Sequence, residues 1–198
     1  MSAVTVLLPG ARYSRPVGVL HGLLSSLFPP QPEPIAELRV GAMAIVRGQV
    51  VPRDLIECPL TGDRGVYYHY TVEDWRQSQT VGLAGEGFWE LNERDEAIAE
   101  FYIEDGTGRA VVSPHRAQVE RGRGVSPRTI DLGIVGRRAQ QLVIAPGDLI
   151  EISAQVDRVD DLFDEGRDYR ASPRRLCLRA PAAEPIRIRR IVSDITLV

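Results

Sequence analysis

Lysine is absent from this chain of 198 residues, whose 24 basic side chains are all arginine. Without lysine there is no Schiff-base amine, no phosphate-loop lysine and no side-chain acceptor for ubiquitin. Cysteine is almost as scarce, with Cys58 and Cys177 alone. They stand far apart in sequence, in no CxxC spacing and with no histidine partner nearby, so the ligand patterns of structural zinc are missing. Both are expected as semi-buried free thiols, a long-range disulfide being the alternative. Histidine is limited to His21, His69 and His115, none in a metal or nucleophile spacing such as HExxH or GxSxG. His69 reads as an ordinary half-exposed strand residue. The acidic group Asp160, Asp161, Asp164, Glu165 and Asp168 lacks EF-hand spacing and reads as a solvated loop. Together these absences give no sign of an enzyme, and neither a cofactor nor a metal is expected.

Long hydrophobic runs are missing too. The longest nearly uncharged stretch, residues 16–28, is shorter than the ~20 apolar residues a membrane-crossing helix requires. Arg12 and Arg15 precede it, but no small-x-small cleavage pattern follows. The expected location is cytoplasmic, with peripheral membrane contact as the alternative.

A 43% hydrophobic and 26% charged composition is that of a folded domain. Proline at positions 29, 30, 32 and 34 fixes φ and removes amide donors, predicting a short polyproline rod. The rod separates residues 1–34, an N-terminal arm and linker, from a body over 35–198. In the arm, Val17, Leu20, Leu24, Leu27 and Phe28 fall on one stripe of a weakly amphipathic helix.

The body reads as mostly β. Residues 66–73 alternate faces, with Val66, Tyr68, Tyr70 and Val72 on one side and Tyr67, His69 and Thr71 on the other, predicting a half-buried strand. Residues 101–112 predict a hairpin turning at Asp105 to Gly108, because an Asp-Gly loop joins two apolar runs. Residues 149–156 predict a core strand with Ile150, Ile152 and Val156 inward, entered by a Pro-Gly-Asp turn. Residues 175–179 and 186–189 alternate as well, the second pair of runs being separated by an Ala/Pro stretch. This succession suits a small OB-like barrel or sandwich with an inserted acidic segment.

Charge is segregated along the chain. Residues 57–110 hold twelve acidic side chains against four arginines, and residues 111–147 hold six arginines against two acidic side chains. Two solvated faces, or attraction between the segments inside the fold, is the first reading; steering of a partner is the second. Residues 111–147 otherwise read as an irregular arginine-glycine connection. Trp75, Phe88 and Trp89 flank a glycine-rich loop in the acidic segment, and large aromatics of this kind are enriched at interfaces.

Several of these motifs together resemble the GIDE domain, also called the BAM or beside-a-membrane domain, of membrane-anchored mitochondrial E3 ubiquitin ligases and of bacterial proteins. The matching run begins at Gly48 and includes Pro59-Leu60-Thr61-Gly62, Val66-Tyr67-Tyr68, Trp75, the run from Phe101 to Gly108, Pro114 and Pro146-Gly147-Asp148. The resemblance covers residues 40–179. The ligases add membrane helices and a cysteine-rich RING, neither of which this chain shows, so the resemblance implies only the non-catalytic part. That part implies a protein-binding or scaffolding module within a larger bacterial assembly, its partners other protein subunits or a second copy of the chain. The candidate binding residues are Val17, Leu20, Leu24, Leu27, Phe28, Trp75, Phe88 and Trp89. The rival readings are an OB-type binder of single-stranded nucleic acid and a hydrolase with a dispersed site. Net negative charge, with the aromatics placed in the acidic segment, argues against nucleic acid.

The apolar stripe of the arm is expected to dock on another surface. Deletion of residues 1–28 should leave circular dichroism unchanged and alter the oligomeric state or partner binding, as read by light scattering. Loss of folding would instead assign the arm to the core.

Overall fold

Apolar and polar side chains alternate along residues 150–157, and in the computed structural model of the chain they belong to one long strand, residues 149–160, at the seam of a barrel. The structure describes residues 31–77, 87–120, 127–160 and 174–191, all but Gln31 belonging to a unit that begins at Pro32. The described residues form thirteen strands. In chain order they are β1 (Met43–Pro52), β2 (Ile56–Glu57), β3 (Arg64–Gly65), β4 (Tyr67–Gln77), β5 (Gly87–Ile98), β6 (Phe101–Glu104) and β7 (Arg109–Val112). They continue as β8 (Ala117–Glu120), β9 (Arg128–Ile130), β10 (Arg137–Ile144), β11 (Leu149–Asp160), β12 (Arg174–Arg179) and β13 (Ile186–Arg190).

Ile150, Ile152, Ala154 and Val156 of β11 all point into the core. One edge of β11 pairs with β1, from Met43↔Gln155 to Gln49↔Leu149. Its second half pairs with β12 on the other edge. β1 then pairs with β6, β6 forms the expected hairpin with β7, and β7 runs parallel to β12, which closes the circle. Counted along the chain as first to fifth, these strands neighbour one another in the order first, second, third, fifth, fourth, first. That is the Greek-key order of an OB barrel. β13 lies off the barrel, antiparallel to the first half of β11 and parallel to β8.

The connections carry a second sheet. β2 to β5 lie between the first and second barrel strands, and β8 to β10 between the third and fourth. β4 and β10 pair over eight residues, giving a four-stranded sheet in the order β5-β4-β10-β9. The expectation of an irregular connection over residues 111–147 is therefore corrected. Arg137, Arg138, Gln140 and Gln141 hide the alternation of β10, whose partner β4 lies far away in sequence. β4 is also more buried than expected, because both faces of its first half are covered. Tyr67 joins the barrel core, and Tyr68, Tyr70 and Val72 pack with Cys58 and Ala139 in a second core. His69 is accordingly buried rather than half-exposed. Cys58 and Cys177 are free and buried, and burial pushes the Cys177 thiol up to about 11.

The arm, with Val17, Leu20, Leu24, Leu27 and Phe28, lies outside the described residues, as do residues 82–86, 121–124 and 161–168. Among the described residues no helix is long and apolar enough to cross a membrane. Pro34 has the polyproline geometry expected of the rod, φ −61° and ψ 141°. The next residue, Ile35, opens a short 3-10 turn and is buried in the barrel core with Leu38.

The Asp105 to Gly108 turn anchors that plug. Asp105 Oδ2 accepts from the Ile35 N–H at 2.7 Å, and Oδ1 accepts from the Thr107 N–H, the Thr107 hydroxyl and the Gly108 N–H. Gly106 supplies the positive φ, 75°, that the reversal requires. Burial acts to raise the carboxyl, but the donated hydrogen bonds outweigh it and hold Asp105 below the ordinary carboxylate value. A carboxyl depressed in this way contributes stability above its unfolded-state value and loses it as pH falls through the folded-state value. Asp105→Asn, which turns an amide donor toward the Ile35 N–H or breaks the turn, should cost about 1–3 kcal/mol in urea denaturation at neutral pH. The gap from wild type should close in acid, where the native carboxyl also becomes protonated.

Candidate functional site

The β4–β5 ribbon has a buried base and an exposed end. Register shifts at Val72/Glu73, where Val72 faces Glu93 and Glu73 faces Leu91, leaving Asn92 as the extra residue of a bulge. Below the bulge, three tyrosines of β4 each donate a hydroxyl to a carboxylate of β5. The pairs are Tyr67 to Glu96 at 3.0 Å, Tyr68 to Asp95 at 2.9 Å and Tyr70 to Glu93 at 2.5 Å. The Glu93 hydrogen bond, then burial, pushes the Tyr70 phenol up to about 12, and the Asp95 bond raises Tyr68 in the same way. These phenols stay protonated as donors and tie the ribbon together.

Beyond the bulge the ribbon carries its large apolar side chains in the open. Trp75 is 42% exposed, Phe88 56% and Leu91 55%, and Trp89 is half-buried. Trp75 and Trp89 are directly opposed in register and meet edge to face, with ring centroids 5.3 Å apart. The Arg138 guanidinium sits 4.2 Å over the Trp89 ring while its Nε donates to Glu73 at 2.5 Å. Gly87 makes the pair possible, because a Cβ there would run into the Trp75 indole and lie 2.8 Å from the Arg76 carbonyl oxygen.

The loop between β9 and β10 joins this end of the sheet. The Trp75 N–H donates to the Gly136 carbonyl at 2.6 Å, and the loop exposes Ile134 and Val135 between Gly133 and Gly136, both at positive φ. Of the expected trio, Trp75 and Trp89 thus share one face with Leu91, whereas Phe88 opposes Arg76 and takes the reverse face. Leu91, Ile134 and Val135 were not anticipated. Leu91 is embedded in a charged run, and the Gly-Ile-Val-Gly tetrad held the only cue, two bulky apolar residues confined to a tight loop.

The reverse face, which carries Phe88, is charged and paired. Arg137 bonds Asp74 through Nε at 2.7 Å, and Arg76 bonds Glu90 at 2.8 Å. Arg137 in turn holds Asp74 below the ordinary carboxylate value. The acidic and basic segments therefore meet within the fold across β4 and β10, as the first of the two charge readings expects. No family model matches the chain, and no curated protein matches its sequence.

Gly87→Ala should push the Trp75 ring off Trp89 while leaving the barrel folded. Since these are the only two tryptophans, far-ultraviolet circular dichroism should lose their exciton couplet with little change in the thermal unfolding of the core.

Proposed function

We propose that the protein is a non-catalytic protein-binding module of GIDE type, and that a partner polypeptide packs on the Trp75–Trp89 end of the second sheet. The observation that carries this reading is the exposed, braced tryptophan pair with Leu91 on the same face and the loop that exposes Ile134 and Val135 bonded to Trp75 through Gly136. Tryptophan and arginine dominate binding energy at protein interfaces. Side chains already held by Gly87, Arg138 and each other lose little further freedom on association. The Arg138–Glu73 pair on the same face supplies part of the polar rim such interfaces have.

The nucleic-acid reading rests on another feature, the outer face of β6 and β7, a surface that OB barrels use for oligonucleotides. Arg109 and Arg175 lie 5.4 and 5.6 Å from the Tyr102 ring there. The ring is covered, however, and Arg109 already donates twice to Glu104. A base would have to displace these contacts before stacking.

A photo-crosslinking amino acid at Leu91 should capture a polypeptide in the native host, whereas the same group at Val40, exposed on the turn before β1, should not. For the captured partner, Trp75→Ala should weaken binding by about 30-fold or more, the effect of losing a central hot spot. Equal capture at both positions, or full affinity in Trp75→Ala, would remove the reading. A salt-sensitive mobility shift with single-stranded oligonucleotide would favour the Tyr102 face instead.

A further inference from the structure

A cleft of about 310 Å3 lies at the opposite end of β10 from the tryptophan pair, lined by Arg64, Arg128, Arg190, Asp63 and Gln141 among others. Its arginines come from three separate strands or strand ends. Gly65 sets Arg64 in place by close approach, since a Cβ at Gly65 would stand 2.5 Å from the Ile144 carbonyl oxygen and 2.7 Å from a Val143 methyl. Three guanidinium groups around one cleft repel one another, and the protein compensates them only in part. Asp148 holds Arg190 at 2.9 Å, and Asp63 meets Arg128 at a loose 3.7 Å. Arg64 has no ion pair among the described residues.

Gln141 is the second observation. It is 3% exposed, its Nε2 donates to Thr61 Oγ1 at 2.7 Å, and its Oε1 has no hydrogen-bond partner among the described residues. Buried amide oxygens are nearly always satisfied, so this one leaves an acceptor to be met from outside the chain, by water or by a ligand donor. Exchanging the two ends of the amide would only move the deficit to the nitrogen. Beside it, β9 pairs with β10 no further than Gln141, so that edge of β10 has no strand partner at Leu142 and Val143 among the described residues.

We propose that this cleft binds a carboxylate flanked by an amide N–H, the chemistry of a polypeptide C-terminus or of an N-acylated amino acid. The carboxylate engages Arg64 and Arg128, whose planar forks match its two oxygens. Arg190, oriented by Asp148, adds positive potential from the far side. The neighbouring N–H donates to Gln141 Oε1. The ligand therefore supplies both missing partners, an anion for the arginines and a donor for the buried oxygen. This inference does not rest on the tryptophan site.

The test is titration of the full chain with N-acetylglycine, followed through arginine Nε–H resonances, with acetate, N-acetylglycine amide and inorganic phosphate as comparison probes. N-acetylglycine should shift the resonances of Arg64 and Arg128 and bind more tightly than acetate, and the neutral amide should not bind. Arg64→Gln, an exposed position with no ion pair to lose, should weaken binding about 10-fold or more. Gln141→Leu should erase the advantage of N-acetylglycine over acetate, and Trp75→Ala should change nothing. A C-terminal peptide that binds more tightly than N-acetylglycine would identify a polypeptide as the source, and equal affinities a small acid. The proposal is overturned by equal binding of the neutral amide, by wild-type affinity in Arg64→Gln, by tighter binding of phosphate, or by no shift with any probe.

Discussion

Closure of the barrel along β11 is the constraint from which the other elements follow. β1 takes one edge of this strand, while β12 and β13 take successive parts of the other. Alternate inward residues Ile150, Ile152, Ala154 and Val156 fix the register, because a slip by one position would exchange them for Glu151, Ser153, Gln155 and Asp157. Once the seam is set, the hairpin of β6 and β7 has one place to go. The two long connections are then brought side by side, and β4 meets β10. The second sheet is thus a consequence of barrel closure, although its longest strands match those of the barrel.

Charge segregation acts at a different level. Exposed ion pairs such as Arg76 with Glu90 are each worth about 0–1 kcal/mol at most, so the arginines of β10 are weak contributors to stability. Their value lies in register. Arg137 faces Asp74 and Arg138 faces Glu73 directly across the ladder, and a shift of one residue would move each guanidinium to the wrong face. The acidic residues of β5, Glu90, Glu93, Asp95 and Glu96, serve a further purpose, because β5 forms the outer edge of its sheet in the order observed. A row of carboxylates there opposes pairing with another chain along that edge.

Local signals were legible in the sequence and distant ones were not. The Asp-Gly turn, the Pro-Gly-Asp turn and the alternation of β11 depend on neighbours within a few residues, and all three appear as expected. The five-stranded OB order was also within reach, because each barrel strand has its own short apolar pattern. β5 and β10 escaped notice because their side chains serve partners elsewhere in the sheet. Glu90, Glu93, Asp95 and Glu96 look like a solvated run until Tyr67, Tyr68, Tyr70 and Arg76 are placed opposite them. At the candidate site, aromatic residue type alone singled out Trp75, Phe88 and Trp89. The face each occupies depends on the bulge at Val72/Glu73, which no local pattern announces.

The division of labour between the two sheets follows from these packing constraints. The barrel interior is filled by Phe101, Ile103, Ile150, Ile152, Leu178 and their neighbours, with Ile35 among them, and a filled core leaves no interior for a ligand. Distinctive surface chemistry is displaced onto the inserted strands. There the tryptophan pair and the arginine cleft occupy opposite ends of β10, a strand bonded to β4 along its length. Side chains carried by such a strand inherit its rigidity, and groups held in position before a partner arrives lose less freedom when it binds. A barrel closed on itself can also tolerate long insertions, since loop length adds only slowly to the entropy of closure. The elements most open to variation are therefore the ones that carry both candidate surfaces, while the barrel that supports them is set by its core.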